Sequence, residues 1–338
     1  MSPSDQHEKT TRAEASLLTV ERLSVSFRTD QGCVTAVDDL SLQLSVGETL
    51  GVVGESGCGK TVTSKAIMRL LPEPAGSIDP SSRILFSGID LARASEKTMR
   101  RIRGDRIAMI FQEPMTSLNP VFTVGWQIDE ALKYHTRLGR KARRTRTIEM
   151  LRLVEIPDPE QRVHEYPHQL SGGMRQRVMI AMALCCEPDI LIADEPTTAL
   201  DVTIQSQILR LMDRLKTASG TAILLITHDL GVVAQVCDRV LVMYAGQVVE
   251  GADVEEIFER PRHPYTKALL ESIPQSGRGA HGKRLPTIDG MVPDLTELPS
   301  GCRFHDRCPY AEAHCREEPP PLVEDERSRQ IRCFYPRT

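Results

Sequence analysis

The chain has 338 residues, which is enough for one large domain and a smaller appendage. Its 42 Lys and Arg residues against 46 Asp and Glu residues give a formal net charge of -4, which argues against a general nucleic-acid binder, since such proteins usually carry a basic excess. The longest uninterrupted apolar run, residues 178–186, is far too short to span a bilayer, so we expect any membrane role to come through partner proteins.

The first part of the chain is predicted to contain a tail followed by paired strands. Residues 1–16 are polar and have no apolar core, so they predict a disordered tail, not a signal peptide, and a cytosolic protein. Apolar and polar residues alternate over residues 17–46, on both sides of a turn-like segment at residues 30–32, which is typical of antiparallel strands. Phe27 lies in this stretch and, taken alone, indicates a core strand residue.

A glycine-rich loop follows the short apolar strand predicted over residues 49–54. Residues 54–61 read GESGCGKT and fit G-x-x-x-x-G-K-[ST], a loop whose backbone N–H groups bind phosphates at a helix N-terminus. Lys60 can reach the β- and γ-phosphates, the Thr61 hydroxyl is placed for Mg²⁺, and Cys58 should contribute only its backbone amide. The residues expected to bind the nucleotide here are Gly54, Ser56, Gly57, Cys58, Gly59, Lys60, Thr61 and Val62.

Helical periodicity dominates the next part of the chain. Residues 60–71 predict a helix that stops at Pro72, and residues 118–163 predict a mostly helical region. A second glycine motif, LSGGMRQR, occupies residues 170–177 and opens another helix near Gly172. The second half of that helix is wholly apolar, so we expect it to be buried.

Two further buried strands each end at residues that can act on phosphates. Residues 190–193 lead to Asp194, which can hold Mg²⁺, and to Glu195, which can act as the general base for an attacking water. Residues 222–226 lead to His228. Residues 240–243 and 248–249 flank a turn and predict a hairpin. This alternation of strands and helices predicts an α/β core with a largely parallel sheet.

The composition changes from about residue 260, where a short helix is predicted over residues 263–270, followed by a Gly/Ser/basic linker at 276–284. Four cysteines then occur with the spacing C-x5-C-x6-C-x17-C: Cys302, Cys308, Cys315 and Cys333. In a reducing compartment such a cluster indicates metal binding more than disulfides. A [4Fe–4S] cluster, a zinc ion and metal-free thiols all remain open, and His305 and His314 are possible substitute ligands.

The order of these motifs over residues 17–272 resembles an ATP-binding cassette (ABC) transporter ATPase. The resemblance implies that Phe27 stacks on adenine and that His228 supports the transition state. It also implies that Gln112 senses the γ-phosphate, contributes to the Mg²⁺ site with Thr61 and Asp194, and couples to membrane subunits. The signature residues expected to contact ATP on the opposite subunit are Ser171, Gly172 and Gly173, with Asp201 at the dimer seam.

The C-terminal sequences HPYTKAL, LPSGCRFHDRCPYA and RCFY resemble the D-type ATPases of dipeptide/oligopeptide permeases. This resemblance implies an ATPase that energises a peptide importer, with ATP and Mg²⁺ as cofactors and a [4Fe–4S] cluster on the four cysteines. It implies four partners: a second homologous ATPase, two transmembrane permeases and an extracytoplasmic peptide-binding protein. It also implies a peripheral location on the cytoplasmic face of the membrane, and no nucleic acid is expected.

The sequence therefore predicts an ABC-type P-loop ATPase of the α/β class. We expect a mixed-sheet core, an antiparallel β subdomain, a helical subdomain at about residues 113–185 and a small C-terminal metal-binding appendage. The predicted divisions are residues 1–16, 17–275 and 276–338. The alternatives are an importer of another cargo such as nickel, a soluble ABC ATPase acting on nucleic acid or ribosomes, and a non-enzymatic iron–sulfur module. The single phosphate loop and the absence of a heptad run disfavour the soluble class.

Overall fold

The computed structural model of the chain describes residues 16–30, 32–111, 118–197, 202–273, 287–326 and 328–337. Two predicted functional residues, Gln112 and Asp201, lie outside these ranges. Within the ranges, we find no helix that is both long enough and apolar enough to cross a bilayer.

The first sheet is antiparallel and confirms the paired strands predicted for residues 17–46. Two long strands, β1 (Ser16–Thr29) and β2 (Gly32–Ser45), pair along most of their length. The order is β2-β1-β5-β6, with β4 also paired to β1, where the short strands are β4 (Gly76–Ile78), β5 (Arg83–Phe86) and β6 (Ile89–Asp90).

The second sheet is mixed and carries the site. Its eight strands run in the order β12-β13-β11-β10-β3-β9-β8-β7. The strands from β10 to β7 are mutually parallel, whereas β11, β12 and β13 pair antiparallel. Every residue of β3, β8 and β9 is buried, which is typical of parallel strands covered on both faces. The strands are β3 (Thr49–Val53), β7 (Ile107–Ile110), β8 (Ile190–Asp194), β9 (Ala222–Thr227), β10 (Arg239–Tyr244), β11 (Gln247–Asp253), β12 (Val323–Glu324) and β13 (Gln330–Ile331).

Helices connect and cover these strands. Four of them follow one another in the part of the chain that joins β7 to β8, and they form a separate helical layer. That layer contains α3 (Val124–His135), α4 (Arg140–Leu153), α5 (Pro159–Arg162) and α6 (Gly172–Leu184), with a 3-10 turn at Pro167–Gln169. The other helices are α1 (Lys60–Ile67), α2 (Glu96–Ile102), α7 (Val202–Ser219), α8 (Leu230–Val236), α9 (Val254–Glu259), α10 (Pro264–Glu271) and α11 (Ala313–Glu317).

One predicted helix ends earlier than expected, and another begins where expected. Helix α1 ends at Ile67, before the predicted stop at Pro72, because Arg69 has a left-handed φ of 50° that a helix cannot continue through. Helix α6 begins at Gly172, as the glycine motif predicts, because the Ser171 side chain caps it.

The C-terminal segment shares the core of the cassette. Strand β13 extends the mixed sheet by pairing with β11, where Ile331 lies opposite Glu250. Phe304 is buried, and its ring centroid lies 5.2 Å from that of Tyr244 and 5.3 Å from that of Tyr265. The segment is therefore stabilised by contacts with the larger unit. The predicted boundary near residue 275 falls in residues 274–286, which lie outside the described ranges, and stays a prediction.

Candidate active site

The strand–loop–helix unit β3–loop–α1 positions the glycine-rich loop at the carboxyl edge of the mixed sheet. Gly54 has a φ of 152°, and a Cβ there would lie 2.2 Å from the Met243 carbonyl oxygen. Gly59 has a φ of 100°, and a Cβ there would lie 2.5 Å from the Ala36 carbonyl oxygen. Only glycine fits these positions, since they combine left-handed backbone with close approach of a neighbouring main chain.

Lys60 is held inside this loop by the loop's own carbonyl groups. Its Nζ donates hydrogen bonds to Gly54 O at 2.7 Å and Glu55 O at 2.9 Å, and the residue is only 5% exposed. Cys58 is fully buried beneath the lysine, and burial raises the pKa of its thiol. The loop therefore presents one fixed positive charge together with the backbone amides at the start of α1.

Asp194 meets the first turn of α1 at the end of β8. Thr61 Oγ1 donates to Asp194 Oδ1 at 3.1 Å, and Ser64 Oγ donates to Asp194 Oδ2 at 3.4 Å. Burial raises the pKa of Asp194, the charge of Glu195 raises it further, and the hydroxyl hydrogen bonds oppose both effects. Because a buried carboxylate beside a hydroxyl offers the oxygen ligands that Mg²⁺ prefers, these residues fit a magnesium site.

Glu195 and His228 come together from the adjacent strands β8 and β9. His228 Nδ1 lies 3.3 Å from Glu195 Oε1, and the imidazole is 61% exposed whereas the carboxylate side chain is 14% exposed. Glu195 has a left-handed φ of 48°, and its N–H donates to Ile226 O at 2.8 Å. A strained non-glycine backbone at this position is typical of functional sites, since the surrounding structure must hold it.

The second glycine motif lies at the exposed N-terminus of α6. Ser171 Oγ accepts a hydrogen bond from Met174 N at 3.3 Å, and Ser171 O accepts one from Arg175 N at 3.0 Å, both within its own helix. Ser171 and Gly172 are exposed, and a Cβ at Gly172 would meet no atom within 4 Å. Further along α6, buried Gln176 donates to Pro196 O, which ties this helix to the segment after Glu195. The start of the motif, at Ser171 and Gly172, thus faces solvent on this chain, whereas its last residues are buried.

Comparison with known proteins identifies the family. The ABC transporter family matches residues 37–198, and the oligopeptide/dipeptide transporter C-terminal region matches residues 249–315. The dipeptide transport ATP-binding protein DppD of Bacillus subtilis is 53% identical over 318 residues, covering 94% of each chain. DppD of Escherichia coli is 51% identical over 320 residues, covering 95% of this chain and 97% of that protein. This chain belongs to the ABC transporter ATP-binding family. As a member of that family, it binds and hydrolyses ATP.

Solved structures agree with the assignment of this ABC ATPase to the cassette fold. The dimeric structure of the ATP-binding cassette MJ0796 in a post-hydrolysis state, bound to ADP and Pi, matches with a TM-score of 0.63 at 26% identity. The match covers 70% of this chain and 98% of that one. The structure of cbiO1 from Clostridium perfringens matches with a TM-score of 0.61 at 29% identity, over 73% of this chain and 92% of that one. The predicted cassette fold with a mixed sheet is confirmed.

Two roles expected in this ABC ATPase stay predictions: the stacking of Phe27 on adenine and the phosphate and Mg²⁺ contacts of Gln112. Phe27 lies on β1 opposite Gly76 of β4, is half-buried and packs against the core beneath the first sheet. Its aromatic ring is close enough that a Cβ on Gly76 would lie 2.9 Å from its Cε1. Gln112 lies outside the described residues, so its predicted γ-phosphate and Mg²⁺ contacts stay predictions.

The four C-terminal cysteines line one small cavity, of about 20 Å³, together with Phe304 and Tyr335. Across the described residues, however, no group of three or more His, Cys, Asp or Glu side chains is placed to hold a metal ion. The structure therefore does not support the predicted metal-binding appendage or its [4Fe–4S] cluster. In the metal-free chain, burial raises the pKa of Cys302, of Cys308 and, to about 11, of Cys333.

Sequence reasoning missed three residues that fix the phosphate loop. The Glu55 N–H donates to the hydroxyl of buried Tyr265 at 2.9 Å, and the Glu55 carboxylate forms an ion pair with Arg307. These partners lie more than 200 positions away in the sequence. No local pattern signals such contacts, since periodicity reports only on neighbours within one helix or strand.

Proposed function

We propose that this chain is the ATP-hydrolysing subunit of a membrane importer of di- and oligopeptides. The observation that carries the proposal is that dipeptide transport ATP-binding proteins match this chain across nearly its full length. The match to the oligopeptide/dipeptide transporter C-terminal region supports the same cargo class against nickel. Both observations favour this function over the alternative, a soluble ABC ATPase that acts on nucleic acid or ribosomes.

We assign the phosphates of ATP to the loop before α1. The backbone amides at residues 54–62 and the Lys60 ammonium group would hold them, since a fixed cation and a helix N-terminus both favour anions. Thr61 and Asp194, whose oxygens lie 3.1 Å apart, would hold Mg²⁺ with Gln112. When bound, Mg²⁺ neutralises charge that develops on the β- and γ-phosphate oxygens.

Hydrolysis itself is assigned to Glu195 and His228. The Glu195 carboxylate accepts a proton from the attacking water as that oxygen bonds to the γ-phosphorus. The bond from the γ-phosphorus to the bridging oxygen breaks, and that oxygen leaves with ADP while the γ-phosphate leaves as inorganic phosphate. His228, 3.3 Å from the carboxylate, orients Glu195 and supports the transition state.

We infer that two ATPase subunits complete each site. The exposed Ser171 and Gly172 and the partly buried Gly173 are available to contact ATP bound to a facing subunit, since the hydrogen bonds of Ser171 among the described residues stay within its own helix. The dimeric structure of the cassette MJ0796 supports such an arrangement. In a peptide importer, the facing subunit is a homologous, non-identical ATPase, Asp201 lies at the seam, and Phe27 stacks on the adenine.

The remaining partners follow from the importer proposal. Two transmembrane permeases bind the ATPases near the Gln112 region, and an extracytoplasmic protein delivers the peptide. The subunit therefore lies peripherally on the cytoplasmic face of the membrane. No nucleic-acid partner is proposed, since the net charge of -4 does not favour one.

Peptide uptake in cells and ATP turnover by the purified complex test this function. Glu195→Gln should still bind ATP but lose at least about 100-fold in turnover, because a general base contributes roughly 10²–10⁴-fold. Lys60→Ala should lose nucleotide binding. Glu160→Gln removes a surface glutamate that is 62% exposed, and this matched control should retain uptake.

The outcomes separate the chemistry from the cargo. Normal peptide uptake in cells whose only copy carries Glu195→Gln would refute the proposed function. A second outcome is that Glu195→Gln loses turnover, but the purified protein brings down no permeases and peptide does not stimulate its hydrolysis. That outcome would support ATP hydrolysis by this chain and favour the soluble alternative.

We also propose that the four C-terminal cysteines hold a [4Fe–4S] cluster when their thiols are deprotonated. Their shared cavity supports this, although the thiols do not form a ligand group as they stand, and no step of hydrolysis is assigned to a cluster. Anaerobic purification should yield about four irons per chain, with matching sulfide. If the original protein contains no more iron per chain than a Cys302→Ser/Cys315→Ser variant, the cluster proposal is wrong and the cysteines only pack in the core.

A further inference from the structure

Arg307 connects the cysteine-containing segment to the phosphate loop. It lies in the 3-10 turn His305–Arg307, and its side chain is only 5% exposed. Its Nη1 donates to Glu55 Oε2 at 2.7 Å and its Nη2 donates to Glu55 Oε1 at 3.0 Å. Two parallel charged hydrogen bonds of this kind are among the strongest and most directional in proteins.

The guanidinium group is itself held on its other sides. Its Nε donates to Asp289 O at 2.9 Å, and its Nη2 lies 3.4 Å from Ile288 O. The group also lies over the ring of Tyr244, with the central carbon 5.7 Å from the ring centroid. Because these contacts already hold the Arg307 side chain in place, the ion pair with Glu55 costs little additional side-chain entropy.

Glu55 passes this restraint to the phosphate-binding lysine. Its N–H donates to the Tyr265 hydroxyl at 2.9 Å, and its carbonyl oxygen accepts from Lys60 Nζ at 2.9 Å. The side chain, amide and carbonyl of one loop residue are thus all fixed. A continuous path of hydrogen bonds runs from Arg307 through Glu55 to Lys60.

The same segment has a second anchor, whose polar partners lie outside residues 54–61. Arg303 donates to Ala245 O at 2.5 Å and forms an ion pair with Asp38, which lies on β2. Phe304 adds buried aromatic contacts with Tyr244 and Tyr265. Attachment of the segment to the cassette therefore does not depend on Arg307 alone, which leaves the Glu55 contact available for a separate role.

We propose that Arg307 is a positioning residue for ATP, which acts through Glu55 to hold the phosphate loop and Lys60 in the nucleotide-binding conformation. The C-terminal segment thereby contributes to the ATP site, although its described residues lie outside the phosphate loop. This inference rests on nucleotide binding by the loop and is independent of the transported cargo.

A double-mutant cycle on the full-length chain tests the inference, with equilibrium binding of a fluorescent ATP analogue as the readout. Arg307→Met and Glu55→Gln should each weaken binding about tenfold, as expected when one charged hydrogen-bonding partner is lost. The double variant should bind no more weakly than either single variant, because both remove the same interaction. Arg307→Lys should recover part of the affinity.

Arg303→Met is the matched control. It removes a neighbouring, largely buried arginine of the same segment and should lower the unfolding temperature while ATP affinity stays within about twofold of the original. Wild-type affinity in Arg307→Met, additive losses in the double variant, or an equal loss in Arg303→Met would each overturn the proposal. Should Arg307→Met not fold, Glu55→Gln and Arg307→Lys give the same comparison.

Discussion

Replacing Arg329 by Met should destabilise the protein by breaking a buried ion pair between the C-terminal segment and β11. Arg329 Nη2 donates to Glu250 Oε1; the two side chains are 6% and 0% exposed. Without the arginine, Glu250 would keep two backbone donors, Arg262 N at 2.8 Å and His263 N at 3.0 Å. Apart from these two hydrogen bonds, the charge of Glu250 would be buried and uncompensated.

The expected loss in the free energy of unfolding is about 3 kcal/mol, at the lower end of the range for broken buried pairs, because those two donors remain. With an unfolding entropy of about 2.1 cal/mol/K per residue, this corresponds to a fall of about 4 °C in the unfolding temperature of a chain this long. Adding Glu250→Gln removes the stranded charge, so the double variant should recover at least about 1 kcal/mol.

Urea unfolding followed by circular dichroism measures the free energy of unfolding, and thermal unfolding with the same signal measures the unfolding temperature. Arg262→Met is the control, because its pair with Asp325 is 32% and 37% exposed and should contribute less than about 1 kcal/mol. Equal losses in Arg329→Met and Arg262→Met, or no recovery in the double variant, would refute the reasoning about buried charge.

Two further predictions concern pH and the phosphate loop. Burial lowers the pKa of His263 to about 4, so the folded imidazole stays neutral while the unfolded one protonates below about 6.5. The free energy of unfolding should therefore fall by up to about 3 kcal/mol as the pH is lowered from 6.5 to 4. Urea unfolding at a series of pH values measures this fall, and His263→Asn should make it smaller. An equal fall in His263→Asn would contradict the reasoning. Gly59→Ala should destabilise the protein far more than Gly57→Ala. Gly57 has a φ of 82°, but a Cβ there would meet no atom within 4 Å, so Gly57→Ala should cost only about 1–2 kcal/mol. Similar unfolding temperatures for both alanine variants would contradict the predicted clash with Ala36 O.

Local sequence patterns predicted most of the cassette. The glycine loop before α1 and the helix start at Gly172 depend on residues a few positions apart, so their chemistry and spacing define the structure directly. The apolar runs ending at Asp194 and His228 similarly predicted buried strands with polar ends. Because parallel strands expose their carboxyl ends at one edge, the sequence also indicated that these residues belong to one site.

The C-terminal segment shows where such reasoning stops. The cysteine spacing predicted a metal site, but spacing along the chain does not fix the distances between the thiols, and the described residues contain no grouped set of metal ligands. The pairing of β13 with β11 was equally hidden, since two-residue strands carry no periodicity.

The sequence by itself determined the family, the phosphate-binding loop and the order of strands and helices, because each depends on residues close together in the chain. Only the tertiary structure decided that Glu195 meets His228, that Arg307 holds Glu55 and that Arg329 neutralises Glu250. These pairs join residues between 33 and 252 positions apart. Their contacts arise from the packing of whole elements, and the free energy of each depends on burial that no local pattern specifies.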